Sequence, residues 1–329
     1  MNFFRPRPSM RIVAVFAFTI AGVMSMATAH ASTAGDDLQG RLEALAQRAR
    51  PGTLGIVVLD PKNGATWRVN ASRAYPMMSV FKAPVGAAVL ARIDHGDLSF
   101  DQTAVLTRDE LESGPVRDHF RGDRMTFTVR QLLTAAVSHS DNTAVDALIK
   151  LVGGPGVVTE FLRTHGIEGM RVDMGEAGIG RIFSNATPPA NETPEQELQR
   201  QHRGYAAFMA DPRNRSTPEA AVMFLRKLRD KELLSPASTH YLIDLMRGQT
   251  VPRRLRAGLP AHVDLADKCG TSYTLGNITA AYNDIGILTW PDGHTVIVAA
   301  FLTASSAPQG ERDAIFAELG RDIAEALHP

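Results

Sequence analysis

The sequence predicts an α/β fold of two lobes. One is an α/β lobe with a mainly antiparallel sheet built from both chain ends and flanked by helices; the other is all-α, and a site is expected in the cleft between them. Three observations lead there. Extended, β-branched runs lie near both ends, at residues 53–59 and 66–69 and again at 263–267, 279–290 and 294–303. Residues 97–234 carry mainly helical periodicity. Residues 313–327 form a last amphipathic helix on Ile315, Phe316, Leu319, Ile323 and Leu327. Strands at both ends with helices between them put the two ends in one sheet and the middle in a lobe of its own, and clefts between lobes are where small-molecule sites form.

In chain order, residues 36–50 place Leu38, Leu42 and Leu45 on one helical face. The runs 53–59 and 66–69 flank Asp60-Pro61-Lys62-Asn63-Gly64, a turn cluster, and read as an antiparallel hairpin. Ser79 opens a helix through Ala87, Val89, Leu90 and Ile93, and Pro84 inside it, lacking an amide hydrogen, prevents ideal α-geometry in the first turns. Thr128-Val129-Arg130-Gln131 is a capping box ahead of the stripe Leu132, Leu133, Ala136, Val137. Further helices are expected over Val145 to Val152, from about 156 to 164, and after Thr217-Pro218 and Ser235-Pro236, with proline at its tolerated first position. Pro291-Asp292-Gly293 marks a hairpin between the last two strands. Residues 181–216, rich in proline and glutamine, read as a long irregular excursion with one helical turn near 205–209.

Composition narrows the function. At 329 residues, 44% hydrophobic and 21% charged, the chain is an ordinary globular protein able to bury a large core. Its 35 basic and 35 acidic residues cancel, which removes a global electrostatic case for nucleic acid or an anionic membrane and leaves a small molecule as the expected partner. Arg5, Arg7 and Arg11, the short apolar run 12–24 and Ala29-His30-Ala31 read as a secretory signal peptide over residues 1–31. The run is too short for a good membrane span. The mature chain, 32–329, is expected to be one domain and a monomer, with the α/β lobe at 32–94 and 235–329 and the helical lobe at 95–234. Cys269 is the only cysteine, so no intramolecular disulfide exists and stability rests on packing.

Four groups of residues carry chemistry. Ser79 and Lys82, in Tyr75-Pro76-Met77-Met78-Ser79-Val80-Phe81-Lys82, sit one helical turn apart and so meet on one face. A serine hydroxyl needs a neighbour to take its proton, and a desolvated lysine can do so. Ser140-Asp141-Asn142 follows Ser79 by 61 residues, and Glu176 follows Ser140 by 36. Lys268-Cys269-Gly270-Thr271 lies at the end of a strand. Each is unremarkable alone, since Ser-Asp-Asn is a common turn or cap and an isolated glutamate is usually a surface carboxylate.

Together and in this order, the set resembles the motifs of the class A serine β-lactamases, Ser-x-x-Lys, Ser-Asp-Asn and Lys-Thr-Gly. The resemblance extends over essentially the whole mature chain, including Pro76-Met77-Met78-Ser79 and Asn283-Asp284 followed by Trp290-Pro291-Asp292-Gly293. It implies that Ser79 attacks a lactam carbonyl to form an acyl-enzyme, that Lys82 assists proton removal, and that Ser140 passes a proton to the departing nitrogen. It further implies that Asn142 binds the substrate's side-chain amide, that Lys268 supplies positive charge, and that the amides of Ser79 and Thr271 hold the oxyanion. Glu176 would activate the hydrolytic water, and Arg254, fourteen residues before Lys268, would bind the substrate carboxylate. A solvated basic face is the other reading of Arg254, within Arg253-Arg254-Leu255-Arg256. The implied substrate is a β-lactam, the implied location the bacterial periplasm, and no cofactor or metal is implied.

Several positions depart from the family's pattern. Cys269 replaces the hydroxyl residue of Lys-Thr-Gly, and a thiol is a weak donor, so carboxylate recognition would lean on Thr271 and Arg254 beside Gly270. Gly180 stands where the family places an asparagine that helps hold the water, and Ala177 where it has proline. Met174 and Asn214 occupy the positions of the usual loop-neck salt bridge, with Arg171, Arg181 and Asp211 as possible substitutes. Ser113-Gly114 replaces an aromatic residue on the opposite wall, and the loop at 171–216 is longer than usual. Two alternatives remain: a penicillin-binding D,D-peptidase, which lacks the glutamate, and a β-lactam sensor that acylates without release.

Overall fold

The computed structural model describes Met1 and residues 34–185, 188–251 and 254–328, so the signal-peptide reading falls outside the described residues apart from Met1. Helix α1 (Ala34–Arg48) leads into the expected hairpin, β1 (Thr53–Leu59) and β2 (Thr66–Val69). A short strand β3 (Tyr75–Pro76) and a 3₁₀ turn (Met78–Phe81) precede α2 (Lys82–Asp94). The helical lobe runs through β4 (Thr103–Thr107), α3 (Pro115–His119), β5 (Arg124–Thr128), α4 (Val129–Val137), α5 (Asn142–Leu151), α6 (Pro155–Thr164), α7 (Glu176–Ser184), α8 (Pro194–Ala210), β6 (Arg215–Ser216) and α9 (Pro218–Arg229). The chain returns through α10 (Pro236–Arg247) and α11 (Leu255–Gly258) to β7 (Asp264–Thr271), β8 (Thr274–Leu275), β9 (Ile278–Thr289), β10 (Thr295–Ser305) and α12 (Gln309–Leu327).

Both chain ends build one antiparallel sheet in the order β2-β1-β10-β9-β7, with β8 paired to β9. Strands β9 and β10 are buried almost throughout, because each face of the sheet carries its own apolar layer. On one face Leu38, Leu42 and Leu45 of α1 and Ile315, Phe316, Leu319 and Ile323 of α12 pack on Leu54, Ile56, Val58 and Val298. On the other, Val57, Ile285, Ile287, Ala299 and Phe301 join the core of the helical lobe. This double coverage explains why the strands read as continuous apolar runs. It leaves β7 as an edge strand, and the functional residues gather beside it.

Two sequence expectations need correction. The helical lobe also carries a two-stranded sheet, β4 with β5, in a stretch read as helical. Residues 181–216 are not an irregular excursion: α7 extends to Ser184, and α8 is a 17-residue helix with Thr193 and Gln196 forming its capping box and Pro194 at its start. Charged residues and an internal glycine obscured the apolar stripe of α8. Its buried positions are Arg200, Gly204, Tyr205 and Phe208, and the glycine serves a close crossing, since a Cβ on Gly204 would lie 2.0 Å from the Phe183 carbonyl oxygen of α7. Phe183 stacks on Phe208 at 4.1 Å, and the Tyr205 hydroxyl donates to the Ile278 carbonyl at 2.7 Å, which ties this helical pair to the sheet.

Candidate active site

Ser79 is held by its neighbours rather than by its own side chain. Met78, Val80 and Phe81 anchor the 3₁₀ turn in the core, and Met78 adopts φ of 46°, a left-handed conformation that costs a non-glycine residue about 1–3 kcal/mol. The expected irregularity at the start of this helix is this turn, after which α2 begins at Lys82 with Pro84 in its first turn, where a missing amide hydrogen breaks no helical bond. The preceding backbone is clamped from the sheet: the Asn283 Nδ2 amide donates to the carbonyls of Pro76 at 2.8 Å and Met77 at 3.1 Å. Ser79 is left partly exposed.

Lys82 is 0% exposed, and its ammonium donates to the Ser140 carbonyl at 2.6 Å and pairs with Glu176 Oε1 at 3.1 Å. It also reaches Asn142 Oδ1 at 2.5 Å and Ser140 Oγ at 3.5 Å. A buried cation persists only when paired and hydrogen-bonded, and Lys82 has both kinds of partner. Lys268, also 0% exposed, approaches the same hydroxyl from the sheet, with Nζ 3.1 Å from Ser140 Oγ. Burial, and then the neighbouring Lys82 charge, push the Lys268 ammonium down to about 8. Two buried lysines thus flank one serine hydroxyl, which can pass a proton on either side.

The turn carrying Ser140 is held from both sides by hydrogen bonds to Asp141. Ser140 itself has φ of 57°. Asp141 caps α5 by accepting from the Ala144 amide at 2.7 Å and also accepts from the Val116 amide at 2.7 Å. Burial raises its carboxyl above the usual range, against the opposing pull of these amides. Asn142 is oriented from both ends, its Oδ1 on Lys82 and its Nδ2 donating to Ser113 Oγ at 2.9 Å. Ser113, which replaces the family's aromatic residue on this wall, therefore contributes a positioning bond.

Glu176 begins α7 and is 8% exposed. Its own amide and that of Ala177 donate to the two carboxylate oxygens of Asp146, at 2.6 and 2.9 Å. The loop neck needs no replacement salt bridge, which corrects the expectation for Arg171, Arg181 and Asp211. Arg171 pairs with Asp173, Asp211 pairs with Arg213, and Arg181 lies exposed. Asn214 closes the neck instead: its Oδ1 accepts from the amides of Asp173 and Met174 at 2.7 and 3.0 Å, and its Nδ2 donates to the Met174 carbonyl at 2.8 Å. Gly180 lies exposed one turn beyond Glu176, and a Cβ added there would meet nothing within 4 Å.

The β7 side of the site is built by close approach. A Cβ on Gly270 would sit 2.4 Å from the Met77 carbonyl oxygen and 3.1 Å from the Ser79 nitrogen, so only glycine lets the strand pass this near the nucleophile. Arg254 is not on a solvated basic face. It is 4% exposed, its guanidinium donates to the Gly270 and Asn283 carbonyls and to Thr271 Oγ1, and it lies over the Tyr282 ring at 4.0 Å. Cys269 is buried on the sheet face shared with Asp267 and Thr271. Behind it Asp267 and Asp284 form a buried carboxyl pair: burial raises both, and Asp284 adds to the rise of Asp267 while Arg254 opposes that of Asp284. Such a pair retains a proton, because two adjacent buried carboxylates cannot both ionise readily.

The structure brings Lys82, Ser140, Asn142, Glu176 and Lys268 into direct contact, with Ser79 against Gly270 and with Thr271 held by Arg254. Sequence reasoning missed Asp146. The available signal was its spacing of four from Asn142, which sets both on one face of α5.

Residues 37–327 match the model of a β-lactamase enzyme family. The extended-spectrum β-lactamase PER-1 of Pseudomonas aeruginosa is 31% identical over 82% of this chain and 80% of its own, and β-lactamase L2 of Stenotrophomonas maltophilia is 32% identical over 86% and 84%. Among solved structures, a β-lactamase from Chitinophaga pinensis superposes with a TM-score of 0.77 at 30% identity, covering 88% of this chain and 99% of that one. A class A β-lactamase representing the last common ancestor of Gram-negative bacteria gives 0.73 at 35% identity, covering 88% and 99%.

Proposed function

The chain belongs to the β-lactamase enzyme family as a class A serine β-lactamase, a β-lactam hydrolase, and from this premise we propose how its residues divide the reaction. Ser79 Oγ attacks the lactam carbonyl and its proton passes to the Lys82–Glu176 pair. The carbonyl oxygen, as it gains negative charge, is received by the amides of Ser79 and Thr271, donors already in place before charge develops. The carbon–nitrogen bond of the lactam breaks, and Ser140, between Lys82 and Lys268, protonates the nitrogen and is reprotonated from the lysine side. Lys268 and Thr271, the latter held by Arg254, take the substrate carboxylate, and Asn142 takes the side-chain amide. Glu176 then draws a proton from water, the hydroxide adds to the ester, and Ser79 leaves with its proton restored.

The observation that carries this reading is the contact of Lys82 with both Ser140 and Glu176 in one buried network. It supports a role for Glu176 beside the lysine that follows Ser79 by three residues, a glutamate that a D,D-peptidase or a non-releasing sensor does not need. Gly180 supplies no side chain to the water, so Glu176 acts without help from that position. Residues 32–329 are proposed to act as one periplasmic catalytic domain after removal of residues 1–31, as a monomer that confers β-lactam resistance, since one chain supplies every group named.

Purified 32–329 protein mixed with a chromogenic cephalosporin, with turnover and intact mass followed together, tests the proposal. Multiple turnovers that disappear in Ser79→Ala and stall as a covalent adduct in Glu176→Ala are expected. A persistent stoichiometric adduct on the unmodified enzyme would replace this reading with the sensor, and unimpaired deacylation in Glu176→Ala would remove Glu176 from its role.

A further inference from the structure

We propose that the pocket beside the loop neck, between α6 and β6, binds a phosphate-type dianion, either inorganic phosphate or a phosphate monoester, and that the bound ion ties the neck to α6. No step of the reaction assigned above passes through this pocket. It has a volume of about 510 Å³, and its lining includes Arg163, Arg171, Arg215, Glu168, Ile167 and Met170. Arg163 belongs to the last turn of α6, Arg171 to the segment that enters the loop bearing Glu176, and Arg215 to β6, where the chain leaves that loop. Three guanidinium groups from three segments thus share one pocket.

Their charge is not matched from within. Arg215 is 8% exposed, yet it forms no ion pair among the described residues. Its Nε donates to the Asp211 carbonyl at 2.7 Å, and its Nη2 donates to those of Phe208 at 2.5 Å and Met209 at 3.3 Å, where α8 ends. Its Nη1 has no hydrogen-bond partner among the described residues. The Asp211 carboxylate is taken by Arg213 at 2.6 Å. Carbonyl oxygens satisfy the protons of Arg215 but carry no net charge, and a buried cation is favourable only beside a counter-charge. Arg171 gives Nε and Nη2 to Asp173, which leaves its own Nη1 for a ligand. The side chains of Arg163 and Glu168 make no hydrogen bond or ion pair among the described residues, so the acidic residue in the lining neutralises neither neighbour. Three arginines against Glu168 and Asp173 leave one net positive charge.

Guanidinium groups suit phosphate because their forked donors match its oxygens in pairs. A tetrahedral dianion presents acceptors in several directions and so can answer three segments at once. Ile167 and Met170 add buried apolar surface, which the organic group of a monoester would cover. The neck lies at the same place. The Arg171 amide donates to the Arg215 carbonyl at 3.0 Å, Met170 bridges to Ser216, and Glu176 follows Arg171 by five residues. An ion held by Arg163, Arg171 and Arg215 therefore braces both segments of the neck against α6.

The test titrates the 32–329 protein at pH 8 with inorganic phosphate and with phenyl phosphate, against sodium chloride of equal ionic strength, by calorimetry and thermal unfolding. Saturable binding of one ion per chain is expected, with Tm raised by about 3 °C at a tenfold excess over Kd. Tighter binding of phenyl phosphate assigns the site to an organic phosphate, and equal binding assigns it to the free ion. Arg163→Gln and Arg171→Gln, both at exposed positions, should each weaken binding about tenfold, the scale of one charge-assisted hydrogen bond. Glu168→Gln removes the opposing charge and should tighten binding about two- to fivefold, a gain that a damaged fold cannot imitate. Hydrogen exchange of the Arg171 amide should slow on binding, and unslowed exchange would refute the brace. Binding that competes with the chromogenic cephalosporin and is unchanged in the three variants would place the ion in the catalytic cleft and overturn the proposal, as would a response no larger than that to chloride.

Discussion

Replacing Gly270 with alanine adds one methyl group where β7 crosses the backbone that leads to the nucleophile. The new Cβ would lie 2.4 Å from the Met77 carbonyl oxygen and 3.1 Å from the nitrogens of Ser79 and Val80, and carbon atoms in proteins do not approach such neighbours nearer than 3.0 Å. The two backbones must separate by at least about 0.6 Å, to reach that limit from the clashing distance. Met77 cannot yield easily, because its amide donates to the Asn214 carbonyl at 3.1 Å and its carbonyl accepts from Asn283 at 3.1 Å. The displacement falls on β7 and carries Thr271 with it. An oxyanion donor works at about 2.7–3.1 Å, so a shift of this size removes most of its effect, and losing one such donor costs about 100- to 1,000-fold. Acylation in Gly270→Ala should fall by about 100-fold, with a stability loss of about 1–3 kcal/mol from overpacking. Stopped-flow acylation with a chromogenic cephalosporin and urea unfolding measure the two effects, and Gly40→Ala, where the added carbon meets nothing within 4 Å, serves as the control. Acylation within threefold of wild type in a folded Gly270→Ala would refute the assignment of the Thr271 amide to the oxyanion.

Lys268, pushed down to about 8 by burial, should give kcat/KM for acylation an alkaline limb near that pH, as the cation is lost above it. Its lowered value means that the unfolded chain binds the extra proton between pH 8 and 10.5, so this group's contribution to stability rises over that interval and the limb does not report unfolding. Lys268→Arg should lower the plateau and abolish the limb, since a guanidinium stays charged; a limb unchanged in that variant would assign it elsewhere. Arg254→Ala strips the carbonyls of Gly270 and Asn283 and the Thr271 hydroxyl of a partner and removes the cation facing Asp284. It should cost about 3–5 kcal/mol in urea unfolding and raise KM, with Arg254→Lys recovering charge without the forked geometry. An unchanged urea midpoint would show that the buried cation is dispensable.

The legible part of the fold was the part with strong local signals. The capping box at Thr128–Gln131, the proline starts at Pro218 and Pro236, the turn at Pro291–Gly293 and the apolar face of α12 each act within a few residues, and each appears as expected. α8 was illegible because its buried face is short and includes Arg200 and Gly204, residues justified only by what they meet: the Ser184 carbonyl and Glu192 for the arginine, and the α7 backbone for the glycine. The β4–β5 hairpin was hidden for a related reason, since much of it is exposed and lacks a clean alternation.

By itself the sequence determined which groups are present and in what order: a serine with a lysine one turn on, a second serine before an asparagine, a glutamate, and a lysine at the end of a strand. Those identities limit the chemistry because nucleophile, proton carrier and cation are properties of side chains. Only the tertiary structure decided how the groups are held. That Asn214 closes the loop neck, that Arg254 faces inward onto Thr271, and that Asp146 caps the helix bearing Glu176 all depend on distances between segments far apart in the chain. The physical reason is that hydrogen bonds and burial act through space over a few ångströms, whereas sequence spacing reports geometry only within a single helix, strand or turn.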